Sequence, residues 1–181
     1  FIKNELKLME PFLLDLEMQK TKDTSIKISK SLHQLSNNIK LTKYKLNSGF
    51  YFGIHEKSPG SGYIDFYKDD IFVLSSRGVL AYRNNSFDEE EDFTIIKNNI
   101  DDFIGKAQYL KHRWYSLKDL LIFNNKIFIS YTKEIKENCW NTSIIYAEIN
   151  YKYINFNEFF SPKDCVHSID NIDKKLNPKN Y

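Results

Sequence analysis

The residue types able to do chemistry are few in this chain and do not converge. Its four histidines are His33, His55, His112 and His167, and no two lie three to five residues apart, so no local zinc spacing exists. Each reads as a surface or hydrogen-bonded core histidine. No G-x-S-x-G elbow, Walker loop or G-x-G-x-x-G is present. His55-Glu56 and Lys118-Asp119 are adjacent acid–base pairs, but neighbours on a strand point to opposite faces, so neither is a ready dyad. The glycines of Ser58-Pro59-Gly60-Ser61-Gly62 are not followed by a Lys-Ser/Thr pair or a helix, and the segment reads as a turn. The acidic run Asp88 to Asp92 lacks the alternation and the glycine of a calcium loop and reads as a solvated loop.

Cys139 and Cys165 both lie in polar, turn-like surroundings. In a reducing compartment they are free thiols. In an oxidising one they can bridge, closing a loop of about 25 residues for about 3 kcal/mol. Nothing beside them lowers a thiol pKa, which argues against a nucleophile.

These residues must be held by elements of short period. Residues 1–37 read as a helical or irregular leader. Leu6, Met9, Leu13 and Leu16 recur at helical spacing around Pro11, and Ile28, Leu32 and Leu35 form a second stripe. The plain reading of both stripes is a helix packed on the body. From about residue 38 the period becomes two: Ile39 and Leu41 alternate, then Phe50, Phe52 and Ile54. Apolar runs on both sides of Asp69-Asp70 predict a hairpin, and Ser76-Arg77-Gly78 predicts a second tight turn before Val79 to Tyr82. The pattern returns around Asn124-Asn125, and a further strand is predicted over Ile144 to Ile149. Phe66 to Phe72 laid over Ile122 to Phe128 matches apolar positions and turn, an offset of 122 − 66 = 56 residues. Common propeller repeats run ~40–50 residues, so an insertion over Asp88 to Lys111 would supply the excess. A single such unit cannot bury both faces of its sheet and needs neighbours, which is the logic of a propeller; paired hairpins in a sandwich are the alternative. The fold class is therefore mainly β: a partial β-propeller of about two blades of antiparallel strands over 38–168, after a short N-terminal helical segment and before a polar tail, 169–181.

Composition narrows the classes further. With 181 residues, 41% hydrophobic and 15% aromatic, the chain can bury a core and is not disordered throughout. A formal charge of +2 gives no nucleic-acid footprint. No run approaches the ~20 apolar residues of a membrane span. The first residues lack the order of a signal peptide, but the chain opens on Phe1 rather than Met, so that lack carries no weight.

Ser116 to Ile122, continued by Lys126 to Tyr131, resembles the blade motif of soluble quinoprotein sugar dehydrogenases, the glucose/sorbosone dehydrogenase family of six-bladed propellers. Asn138-Cys139-Trp140-Asn141-Thr142-Ser143, with Phe159-Phe160-Ser161 and Asp164-Cys165-Val166, is similar to a branch of it found in marine bacteria. Tyr63-Ile64-Asp65 through Ser75-Ser76-Arg77-Gly78 resembles the preceding blade, so the likeness spans roughly residues 50 to 167. It implies a parent enzyme that oxidises a sugar or alcohol with pyrroloquinoline quinone and calcium, and remaining blades as partners of these two. It also implies a periplasmic or otherwise extracytoplasmic setting, and there a Cys139–Cys165 disulfide. The family's base lies in a segment resembling His-Gln-Ser-Gly followed by Arg. Here Cys165 is followed by Val166-His167-Ser168-Ile169-Asp170, so His167 is not its match. No catalytic, quinone-binding or metal-binding residue carries over, and this chain alone is expected to be inactive. The alternative function is a non-catalytic β-repeat module that binds carbohydrate or protein through exposed aromatics such as Trp114, Tyr115 or Trp140.

Overall fold

Polar two-residue turns between apolar runs fold the chain into successive antiparallel hairpins. The computed structural model describes residues 25–46, 62–75, 78–84, 91–104, 117–137 and 139–167. Three N-terminal strands come first: β1 (Ser25–Ile26), β2 (Ile28–Ser36) and β3 (Ile39–Leu46). A four-stranded meander follows, of β4 (Gly62–Tyr67), β5 (Asp70–Ser75), β6 (Leu80–Asn84) and β7 (Phe93–Asn98). A one-turn helix, α1 (Asp101–Ile104), leads to a second meander of β8 (Leu117–Phe123), β9 (Lys126–Lys136), β10 (Cys139–Glu148) and β12 (Asn157–Phe160). Two short strands complete the set: β11 (Tyr153–Ile154) pairs parallel with β7, and β13 (Val166–His167) pairs with the start of β10.

Both expected hairpins form. Asn124 and Asn125 take φ of 50° and 61°, the left-handed pair that a tight hairpin turn requires and asparagine tolerates. In the first hairpin Tyr67 faces Asp70 across the ladder, so the turn is Lys68-Asp69, one residue earlier than the sequence suggests. The equivalent pair in the second is Phe123 and Lys126, which keeps the offset of 56 (123 − 67; 126 − 70). The glycine turn is seen at Gly78, where φ is 97° and the amide donates to the Ser75 carbonyl.

Two expectations are corrected. The stripe Ile28, Leu32, Leu35 is not helical: it lies in β2, paired along its length with β3. β-branched residues, serines and the two-residue turn at 37–38 favour a ribbon there. The rest of the leader, 1–24, lies outside the described residues, as do Phe50, Phe52, Ile54 and the tail. Nor is Asp88 to Lys111 a plain insertion. It contains β7, the fourth strand of the first sheet, and α1, whose Ile104 is buried. The excess length lies partly in the connection between sheets.

The sheets remain open and, apart from the β11–β7 pair, antiparallel, and the main core lies between their faces. From the first come Phe72, Leu74, Leu80 and Ile96; from the second Leu120, Ile127, Ile129, Tyr131, Ile145 and Ala147. Ile100 and Ile104 of the α1 region, with Ile154 and Phe156 of the β10–β12 connection, fill the same space. β1 extends the first sheet by pairing antiparallel with β7, Ile26 opposite Phe93, and the face that carries Ile26, Ile71, Val73, Val79, Ala81, Phe93 and Ile95 is covered by Ile28 and Leu46. Asp92, at the end of the acidic run, accepts from the Ile28 amide and pairs with Lys27 at 3.2 Å, which pins this cover.

The repeat explains the packing. Ile71 and Ile127 are equivalent by offset, yet Ile127 faces the intersheet core while Ile71 faces the N-terminal strands. Phe72 faces the intersheet core, whereas its equivalent Phe128 faces outward with Tyr146 and Phe159. One face of the first sheet thus meets the opposite face of the second. Two sheets related by a two-fold axis would instead present equivalent faces to each other. Here the stacking is head to tail.

Candidate functional site

Two surfaces could carry function: the seam where β4 meets β8, and the outer face of the second sheet. Alternation puts Tyr63, Asp65 and Tyr67 on one side of β4, toward the second sheet. The Tyr63 hydroxyl donates to the Leu117 carbonyl at 2.8 Å, and the Ile122 amide donates to Asp65 Oδ2 at 2.6 Å. The Tyr67 hydroxyl donates to Asn125 Oδ1 at 2.9 Å. Side chains therefore stitch the two edge strands, which have no backbone ladder between them. Burial, then the nearby Asp119 carboxylate, raises the Tyr63 pKa above its usual value.

At the turn end of the seam, Tyr67, Phe72, Tyr82 and Tyr151 form an aromatic cluster. Tyr151 lies 4.6 Å from Tyr82 and 5.9 Å from Phe72, between ring centroids. Its hydroxyl donates to Asp70 Oδ2 at 2.6 Å. Partial burial and that hydrogen bond hold the phenol protonated well above its ordinary range. Asn84 donates to the other Asp70 oxygen at 3.3 Å. Tyr151 and Asn84 between them occupy both oxygens of Asp70, so the Tyr151–Asp70 contact works as a latch rather than an open site.

The outer face of the second sheet is different. Phe128 faces Tyr146 across the ladder with rings stacked 6.1 Å apart, and Phe159 stands edge-on to both at 5.3 and 5.6 Å. Leu121, level with Phe128, is 54% exposed, and Phe159 is 59% exposed. Lys126 Nζ lies 5.7 Å from the centre of the Tyr146 ring. Contiguous exposed aromatic surface of this kind is what marks an interaction face.

The cysteines meet. Cys139 and Cys165 lie at disulfide distance, Cα atoms 5.3 Å apart, with β13 brought beside the start of β10. Asn141 Nδ2 donates to the Asp164 carbonyl at 2.8 Å and holds the same loop. His167 sits opposite Cys139 on β13 and is exposed. His33 is exposed on β2, its Nε2 3.1 Å from Ser31 Oγ. Asp119 accepts from the Leu120 amide beside a bulge, so Lys118-Asp119 serves the strand's geometry. Trp140, expected as an exposed contact residue, is 1% exposed and belongs to the intersheet core. Alternation does not place it there, since Trp140 lies an odd number of residues from Ile145 and Ala147; it sits at the start of β10, flanked by β9 and β13. His55-Glu56, His112, Trp114, Tyr115 and the 58–62 turn lie outside the described residues, apart from Gly62 at the start of β4. No cluster of three or more potential metal ligands occurs among the described residues. The stripe Tyr63, Asp65, Tyr67 was the signal available for the seam, since a carboxylate between aromatics on a buried-side period asks for a partner.

Comparison with family models, with curated proteins and with solved structures finds no match to this chain.

Proposed function

We propose that this chain supplies two consecutive blades of a β-propeller whose parent is a quinone-dependent sugar or alcohol dehydrogenase. The observation that carries the blade reading is the head-to-tail stacking of two four-stranded meanders in sequence order. Propeller blades have this strand order, place their first strands side by side and fill the outer gap with loops. Here β4 and β8 are stitched together, and α1 with the β10–β12 connection fills the space beyond. The dehydrogenase reading rests on the motif resemblance, and the cysteine pair at bonding distance supports it and an extracytoplasmic setting. Pyrroloquinoline quinone and calcium would be held elsewhere in the parent. His167 has no glycine or arginine after it, so the family's base has no counterpart at that position.

The test is dye-linked sugar oxidation with added quinone and calcium. The reading predicts turnover by the full-length gene product that depends on both, and none by the 181-residue chain. A full-length protein that oxidises no sugar or alcohol under these conditions removes the dehydrogenase reading. A second reading, a binding module, is favoured by the Phe128–Tyr146–Phe159 platform, a shape that suits the flat face of a sugar ring. Saturable glycan binding abolished by Phe159→Ala would select it.

A further inference from the structure

The chain's positive charge is not spread evenly. Residues 25–46 hold five lysines, Lys27, Lys30, Lys40, Lys43 and Lys45, and no Asp or Glu. With a formal charge of +2 for the whole chain, the remainder carries 2 − 5 = −3. The excess of positive charge therefore belongs to the β2–β3 ribbon and its lead-in, and the ribbon is fastened to the body at its base. Ile28 and Leu46 pack against the first sheet, and the Arg83 guanidinium lies 5.7 Å from the centre of the Tyr44 ring. Beyond Ile28 every residue of β2 is exposed. Among the described residues these lysines meet a carboxylate only at Lys27, through Asp92.

Register sorts the side chains. Ile28 and Leu46 stand opposite each other on the ladder and define the face turned toward the first sheet. By alternation the outward face carries Ile39, Leu41, Lys43 and Lys45 in one line along β3. All four are exposed, Ile39 by 56% and Leu41 by 47%. Ser29, Ser31 and His33 stand opposite Lys45, Lys43 and Leu41. A register shift between Gln34 and Ser36 skips Leu35, which is also exposed. The outward face is thus apolar toward the turn and cationic behind it.

We propose that this face docks on an anionic lipid surface. Ile39, Leu41 and Leu35 enter the boundary between headgroups and acyl chains, and Lys43 and Lys45 pair with lipid phosphates. Peripheral binding to a bilayer draws on two terms, buried apolar area and attraction to anionic headgroups, and this face offers both side by side. A soluble acidic polymer would satisfy the lysines and leave the aliphatic side chains in water, so charge and apolar area together select lipid. The inference uses neither the blade reading nor the dehydrogenase reading, and it stands or falls apart from them.

Sedimentation of the 181-residue chain with vesicles tests it, using phosphatidylcholine alone and an equal mixture with phosphatidylglycerol. Binding should occur with the mixed vesicles only and weaken as salt is added. One lysine near an anionic surface changes partitioning about fivefold, so Lys43→Gln with Lys45→Gln should cost about 25-fold. Ile39→Ser with Leu41→Ser should cost about tenfold or more. These positions are exposed, so circular dichroism of both variants should match the parent. Phe159→Ala, on the second sheet, should bind as the parent does. No binding to the mixed vesicles, equal binding to the neutral ones, or full binding by either double variant overturns the inference. Binding that survives the serine pair but not the glutamine pair, matched by binding to soluble polyglutamate, assigns the ribbon to an acidic polymer instead.

Discussion

Phe72 and Phe128 occupy equivalent positions in the repeat, but their difference in burial requires them to differ in energy. Phe72 is fully buried and touches Tyr67, Tyr82 and Tyr151. Truncating such a ring to alanine costs about 3–5 kcal/mol, the lost transfer energy plus the cavity. Phe128 is half-buried and loses ring contacts with Tyr146 and Phe159, so Phe128→Ala should cost about 1–2 kcal/mol at typical values for aromatic pairs. Urea unfolding of the 181-residue chain, followed by tryptophan fluorescence, separates the two. With an m-value of about 1–3 kcal/mol per molar, Phe72→Ala should lower the midpoint by more than about 1 M. Phe128→Ala should move it by less than half as much, with m unchanged in both. If Phe72→Ala fails to fold, Phe72→Leu against Phe128→Leu preserves the order. Equal shifts, or a larger one at Phe128, would show that the second sheet does not cover the first.

Reduction, or Cys165→Ser, should each cost about 3 kcal/mol by the loop-entropy estimate for a separation of 26 residues, and together no more than either alone. Non-reducing peptide mapping checks the pairing. Tyr151→Phe removes the hydrogen bond to Asp70 and should cost about 1 kcal/mol, with a double-mutant cycle against Asp70→Asn giving most of that as coupling. Burial, then the Glu158 carboxylate, pushes the Tyr131 phenol up to about 12. A folded pKa above the unfolded value of ~10 stabilises the protein below pH ~10, and that stability is lost as pH rises toward ~12. At ~1.4 kcal/mol per pKa unit the loss is about 3 kcal/mol, and Tyr131→Phe should flatten the alkaline limb.

The hairpins were legible in the sequence because each has strong local causes: apolar runs, polar two-residue turns and an asparagine pair suited to positive φ. The leader was misread because Ile28, Leu32 and Leu35 satisfy a helical spacing as well as a ribbon. Pairing with Thr42, Tyr44 and Leu46 decides between them, and it is tertiary information. Trp140 was misplaced for a related reason. Its polar neighbours suggest a loop, while pairing with Glu134 and Val166 makes it strand, and its burial in the intersheet core is tertiary information. The Asp65–Ile122 and Tyr151–Asp70 contacts join residues 57 and 81 apart, so no local pattern encodes them. The cysteine pair at disulfide distance was reached through the family likeness, since spacing alone left bridge and free thiols open.

Opposite faces of the two sheets meet, and methyl and aromatic nuclear Overhauser contacts in the 181-residue chain report which faces those are. Head-to-tail stacking predicts contacts from the methyl groups of Leu74 and Leu80 to those of Ile127, Ile129 and Ile145, and from the Phe72 ring to Tyr151. Contacts from Leu74 or Leu80 to the Phe128 and Tyr146 rings, in place of those, would mean that equivalent faces meet and would contradict the head-to-tail repeat.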